Sequence, residues 1–107
     1  YSLKLASKAK RFEAWNDSGQ LIGIVCIYLD KNSGFISNVS VEPRYYRLGI
    51  GNTLIKKTIL LCKSKSIKNI KLEVEINNKS AIQLYVKNGF KIKKTLQYNY
   101  LMDLKIK

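Results

Sequence analysis

A chain of 107 residues has the length of one domain, read here as 1–107, and can bury roughly two thirds of its unfolded surface in a single core. Its hydrophobic content of 46% and aromatic content of 10% exclude a low-complexity or linker-dominated chain. The absence of histidine excludes histidine triads and histidine metal sites, so no metal is expected, while the net charge of +13 points to anionic partners such as nucleic acid, an acidic membrane face or a phosphorylated small molecule.

In chain order, Leu5, Ala9 and Phe12 fall at helical spacing, which predicts the end of a helix over Tyr1 to Lys10 feeding a strand at Arg11 to Asn16. The turn formers Asn16-Asp17-Ser18-Gly19 follow, and the apolar run from Leu21 to Tyr28 then predicts a strand buried on both faces. Extended to Leu29, that run is about half of the ~20 residues a bilayer span needs, and the chain opens on a polar, lysine-containing stretch instead of a signal peptide. A soluble, cytoplasmic protein without a membrane partner is expected. A second turn at Asp30 to Gly34 leads into Phe35 to Val41, and the three strands together predict an antiparallel meander.

From Gly51 the hydrophobic period changes from two to 3.6. Ile50, Leu54, Ile55, Ile59 and Cys62 share one face of a helix that ends near Lys65-Ser66, with Lys56, Lys57 and Lys63 on the other. Lys63, Lys65 and Lys68 form the only local basic cluster, and it fits the solvated end of that helix. Seventeen of the twenty basic residues are lysines spread from Lys4 to Lys107, as the composition of an AT-rich genome accounts for without a dedicated patch. Ile70, Leu72, Val74 and Ile76 alternate with Lys71, Glu73 and Glu75 as a strand. Asn77-Asn78 supplies the N-cap of a short helix that Asn88-Gly89 stops, and strands over Phe90 to Leu96 and Tyr98 to Ile106 complete the chain. Cys26 and Cys62 sit inside apolar patterns and read as buried thiols.

The segment joining the third strand to the long helix, Val41-Glu42-Pro43-Arg44-Tyr45-Tyr46-Arg47-Leu48-Gly49-Ile50-Gly51-Asn52, carries the chemistry. Two glycines two residues apart let the backbone turn through φ values closed to other residues, so successive N–H groups can point at one anion from the helix N-terminus. Taken with the second motif, Asn78-x-x-Ala81-Ile82-x-Leu84-Tyr85-x-x-x-Gly89-Phe90, this segment resembles the GNAT superfamily of N-acetyltransferases, which use acetyl-coenzyme A. The resemblance covers about Phe12 to Ile106.

That resemblance implies an α/β (α+β) domain: a mixed, mostly antiparallel sheet with two packed helices. It implies that Arg47, Leu48, Gly49, Ile50, Gly51 and Asn52 surround the coenzyme pyrophosphate, and that Val39 and Val41 offer backbone groups to the pantetheine arm. Asn78 would cap its helix and meet the thiol region, and Tyr85 would donate a proton to the departing thiolate, a task open to a phenol that is neutral at pH 7. By its place at the end of a strand before Asn78, Glu75 is the candidate base; Glu73 and Glu42 are weaker options. Where the family usually has Arg or Gln, three residues before the first glycine, this chain has Tyr46, with Arg47 one place later and Arg44 as a second cationic candidate. Typical members begin with a strand and one or two helices that help form the acceptor pocket, and here those N-terminal elements are largely missing; dimerisation is one way to complete the pocket. The expected acceptor is a small-molecule or peptide amine, not nucleic acid. Two other readings stay open: a coenzyme-binding protein without transferase activity, and a basic nucleic-acid-binding module.

Overall fold

The computed structural model describes residues 9–107. Three strands, β1 (Ala9–Trp15), β2 (Leu21–Leu29) and β3 (Ser33–Val41), form the antiparallel meander, and a short 3-10 turn (Pro43–Tyr45) leads to helix α1 (Ile50–Ser64). Strand β4 (Asn69–Glu75), helix α2 (Lys79–Lys87), β5 (Lys91–Thr95) and β6 (Asn99–Lys105) follow. The sheet runs in the order β1-β2-β3-β4-β6-β5, and only the β3/β4 pair is parallel, joined across α1. This is the mixed, mostly antiparallel sheet with two helices that the sequence implies.

The helical reading of Tyr1 to Lys10 lies mostly outside the described residues, but Ala9 and Lys10 belong to β1, paired with Tyr28 and Ile27. The spacing of Ala9 and Phe12 is therefore coincidental here. Phe12 and Ala14 lie opposite Val25 and Gly23 while Arg11 and Glu13 lie opposite Cys26 and Ile24, the two-residue period of a strand.

One core is packed between the sheet and the helices. Val25, Ile27, Ile36, Leu54, Ile55, Cys62, Ile70, Leu72, Tyr85, Phe90 and Met102 are all buried in it. The opposite sheet face is only partly covered: Ile24, Cys26 and Tyr28 are half-buried and Phe35 is exposed. Strand β2 is thus fully buried on one face, not both, and of the two cysteines only Cys62 is a core residue.

Both helices end in the same way. Asn88 closes α2, Gly89 takes φ 97°, and the N–H groups of Phe90 and Gly89 donate to the carbonyls of Tyr85 and Val86, each at 3.0 Å. The accompanying apolar contact of such an ending is the Tyr85–Phe90 ring pair, with centroids 5.9 Å apart. At the end of α1, Ser66 takes the left-handed conformation at φ 60°, while Ile67 and Ser66 donate to the carbonyls of Cys62 and Lys63 at 2.9 and 3.1 Å.

Candidate active site

The site begins where β3 leaves the sheet. Against β2, the register of β3 slips between Cys26↔Asn38 and Ile27↔Ile36, so Ser37 is an extra residue and forms a β-bulge. The bulge returns Val39 and Val41, opposite Val25 and Gly23, to the face that Ile36 shares with the helices. It also marks a parting of strands. Pairing of β3 with β4 stops at Ile36↔Leu72, whereas β2 stays paired with β3 as far as Val41 and β4 stays paired with β6 as far as Glu75. The backbone of Ser37 to Val41 therefore presents an unpaired edge across a gap from Glu73 to Glu75. An extended ligand can add to such an edge as a strand does.

The anion cradle stands at the end of that edge. Arg47 and Gly49 both have left-handed backbones, at φ 68° and 80°, and Gly49 is the N-cap of α1. The helix closes its first bond from Thr53 N–H to Gly49 C=O at 3.0 Å. Among the described residues, no backbone or side-chain acceptor meets the N–H groups of Arg47 to Asn52. Free donors of this kind, with the positive end of the α1 dipole behind them, are suited to take up an anion. Among the described residues Arg47 is exposed and makes no ion pair, whereas Arg44 donates to Glu42 at 2.7 Å, so Glu42 is already engaged as well.

The two glycines differ in their work. A Cβ at Gly49 would meet nothing within 4 Å, so its requirement is the positive φ. Gly51 is helical, and a Cβ there would lie 3.3 Å from Leu84 Cδ2; this glycine lets α2 approach α1. The expectation that both glycines shape the turn is corrected accordingly, with the second left-handed position falling on Arg47.

Tyr85 and Asn78 lie at opposite ends of α2. The Asn78 Oδ1 accepts from Ala81 N–H at 3.3 Å and caps the helix. The Tyr85 ring is buried among core residues, and among the described residues no hydrogen-bond partner meets its hydroxyl. Burial of the ring pushes the phenol pKa above its ordinary value, so the group holds its proton at neutral pH. Glu75 is exposed at the end of β4, and the alternation of the strand sets it on the face opposite Val74 and the helices. Glu73, on the same face, accepts from Asn99 Nδ2 at 3.3 Å.

Two contacts were not legible in the sequence. Asn88 Nδ2 donates to Asn52 Oδ1 and to the Leu84 carbonyl, both at 2.9 Å, and so ties the end of α2 to the first turn of α1. Asn16 Nδ2 donates to Tyr45 Oη at 2.9 Å and anchors the β1–β2 hairpin to the 3-10 turn before the cradle. Asn88 stood out only as a helix stop and Asn16 only as a turn former, because each partner lies about thirty residues away.

Free N–H groups at the N-terminus of a helix, opening onto a parted β-sheet, suit an extended ligand tipped by phosphate. The chain belongs to the acetyltransferase (GNAT) family, whose pattern it matches over residues 3–90. It is 36% identical over 87 residues to N-alpha-acetyltransferase 30 of Homo sapiens, covering 77% of this chain and 24% of that protein. It is 29% identical over 85 residues to the spermidine N(1)-acetyltransferase of Thermoplasma acidophilum, covering 79% of this chain and 53% of that one. The fold overlays on the crystal structure of PaiA N-acetyltransferase from Thermoplasma acidophilum in complex with coenzyme A with a TM-score of 0.88 and 27% identity, over 97% of this chain and 66% of that one. The chain spans about half the length, or less, of the curated relatives it matches.

Proposed function

We propose that this protein moves an acetyl group from acetyl-coenzyme A directly to a primary amine. The observation that carries the reading is the continuity of the unpaired Ser37–Val41 edge with the free N–H groups of Arg47 to Asn52. An edge that pairs an amide-bearing arm and a cradle that takes a diphosphate suit the two ends of the same coenzyme, and the family membership agrees. When bound, acetyl-coenzyme A supplies the activated acetyl thioester.

The residues then divide the proton work. Val39 and Val41 align the pantetheine arm through backbone groups, and the Asn78 amide, whose oxygen caps α2, keeps its Nδ2 donor for the thiol region. Glu75 takes the proton the amine gives up as nitrogen bonds the acetyl carbon, directly or through water. Tyr85 delivers a proton to the sulfur as the carbon–sulfur bond breaks, and a phenol kept protonated by burial is suited to that step. Acid and base belong to opposite sheet faces, so the amine and the leaving sulfur are served from either side of the gap.

The acceptor is a small-molecule or peptide amine. The charge of +13 favours an acidic or phosphorylated one over a polyamine, and a second copy of the chain is a candidate partner. A cytoplasmic location goes with two free thiols; among the described residues no helix is long and apolar enough to cross a membrane. Thermal stability with acetyl-coenzyme A, followed by thiol release across amino sugars, amino acids, peptides and aminoglycosides, tests the reading. The expected outcome is stabilisation and turnover with one amine class. Stabilisation without thiol release would reduce the protein to a coenzyme binder.

A further inference from the structure

The even spread of lysines along the chain hides an uneven spread of carboxylates in the fold. Neither helix contains an Asp or Glu, and each presents lysines to solvent: Lys56, Lys57 and Lys63 on α1, Lys79 and Lys87 on α2, all exposed. The two helices lie on one face of the sheet and meet at Gly51 and Leu84 and through the Asn88–Asn52 bond. Of the seven acidic residues, Glu13, Glu73, Glu75 and Asp103 belong by register to the opposite sheet face. Asp17 and Asp30 lie in the two hairpin turns, and Glu42 is engaged by Arg44. Among the described residues none of the helix lysines named above forms a salt bridge, so the helix layer is a face of one sign.

Aliphatic side chains stand exposed within this layer. Leu60 is 64% exposed, and Lys56 and Lys63 lie one turn to either side of it on the same helix face. On α2, Val86 is 54% exposed next to Lys87. Helix α1 already buries Leu54, Ile55 and Cys62 on its inner face, so Leu60 has no packing use in the core.

The chemistry of the face separates two kinds of anionic partner. Nucleic acids are gripped by Arg forks and by aromatic rings that stack on bases, and the exposed residues of α1 and α2 include neither. Lysines around protruding aliphatic side chains suit an anionic bilayer, where the ammonium groups meet lipid headgroups and the aliphatic tips enter the acyl boundary. We infer that the α1–α2 layer docks this protein on an anionic membrane surface. Such a contact lies on the bilayer and needs no spanning segment. The opposite sheet face, which carries the carboxylates, points to water. The inference does not depend on the coenzyme reading above.

Sedimentation of the full chain with lipid vesicles tests it. The protein pellets with phosphatidylcholine vesicles that contain roughly one third phosphatidylglycerol and stays in solution with phosphatidylcholine alone. Replacing two lysines of the layer together, Lys56→Gln and Lys63→Gln, weakens vesicle binding about 25-fold, or about fivefold for each ammonium. The pair Lys31→Gln and Lys105→Gln removes the same charge from a hairpin turn and from the opposite sheet face, and changes binding by no more than about twofold. Leu60→Gln weakens it about tenfold. All of these side chains are exposed, so each variant keeps the thermal melt of the parent. Equal losses in the two lysine pairs would reduce binding to net charge and overturn the face, as would failure to pellet with anionic vesicles or equal binding to neutral ones. Tighter binding to an RNA duplex than to anionic vesicles, unaffected by Leu60→Gln, would assign the layer to nucleic acid and overturn the membrane contact. Stabilisation by coenzyme A is read separately and is indifferent to all of these outcomes.

Discussion

In the proposed reaction, Tyr85 serves packing and chemistry with one side chain. The aromatic body fills the core against Phe90, so removing only the hydroxyl leaves the packing intact. We expect Tyr85→Phe to keep coenzyme affinity within about twofold and to lower the acetyl-transfer rate by about 10²-fold, the low end of acid catalysis. Steady-state kinetics beside a binding titration checks this, and full activity would return Tyr85 to a packing role. Gly49 is the converse case, a residue chosen for its backbone alone. At φ 80° a β-branched side chain has no room to relax although the space around it is open. Gly49→Val should therefore abolish measurable coenzyme stabilisation, while Gly49→Asn, which tolerates the left-handed region, should retain part of it. Thermal shift with coenzyme A distinguishes the two substitutions; equal behaviour would mean that φ at Gly49 does not shape the cradle.

At the scale of elements, legibility followed how local the cause was. The stop of α2 could be read from Asn88-Gly89 because the left-handed residue is a glycine. The end of α1 near Lys65-Ser66 could be read from the loss of the apolar period, but its left-handed residue could not, since that position is Ser66 and nothing in a serine announces φ 60°. Arg47 hid the second left-handed position of the cradle for the same reason, and the glycine pair drew the turn onto Gly51 instead. The bulge at Ser37 escaped notice because it depends on the register against β2, a partner supplied by the fold. The two motifs were legible because they are written in nearby residues; the Asn16–Tyr45 and Asn52–Asn88 contacts were not, because each joins residues about thirty or more apart. The Ser66 ending offers a clean test. Glycine adopts that conformation without the Cβ penalty of about 1 kcal/mol, partly offset by its greater freedom when unfolded. We expect Ser66→Gly to stabilise the fold by about 0.5 kcal/mol, or roughly 2–4 °C for a domain of this size. Urea unfolding measures it, and a loss of stability would show that the serine side chain matters in its own right.

For the molecule as a whole, burial is one-sided, and the two cysteines sample its two sides. Cys26 is half-buried on the open sheet face, whereas Cys62 is fully buried under α1 and its thiol is pushed up to about 11 by burial alone. In the unfolded chain that thiol titrates near its ordinary value of 9.0. Between the two values the unfolded state has released a proton that the folded state still holds, so stability falls as pH rises. Below pH 9 the thiol is protonated in both states and contributes no slope; above about 11 it is ionised in both and the loss is complete. The contribution of this one thiol is isolated by difference. Cys62→Ala carries a constant cost for the smaller side chain but lacks the titration. We expect the stability gap between the wild-type chain and Cys62→Ala to be constant up to about pH 9 and to narrow between pH 9 and 11 by about 2 kcal/mol. Denaturant melts at half-unit steps of pH follow the gap. A gap that stays constant across this range would mean that the Cys62 thiol titrates in the fold as it does in the open chain, and that the core beneath α1 admits water.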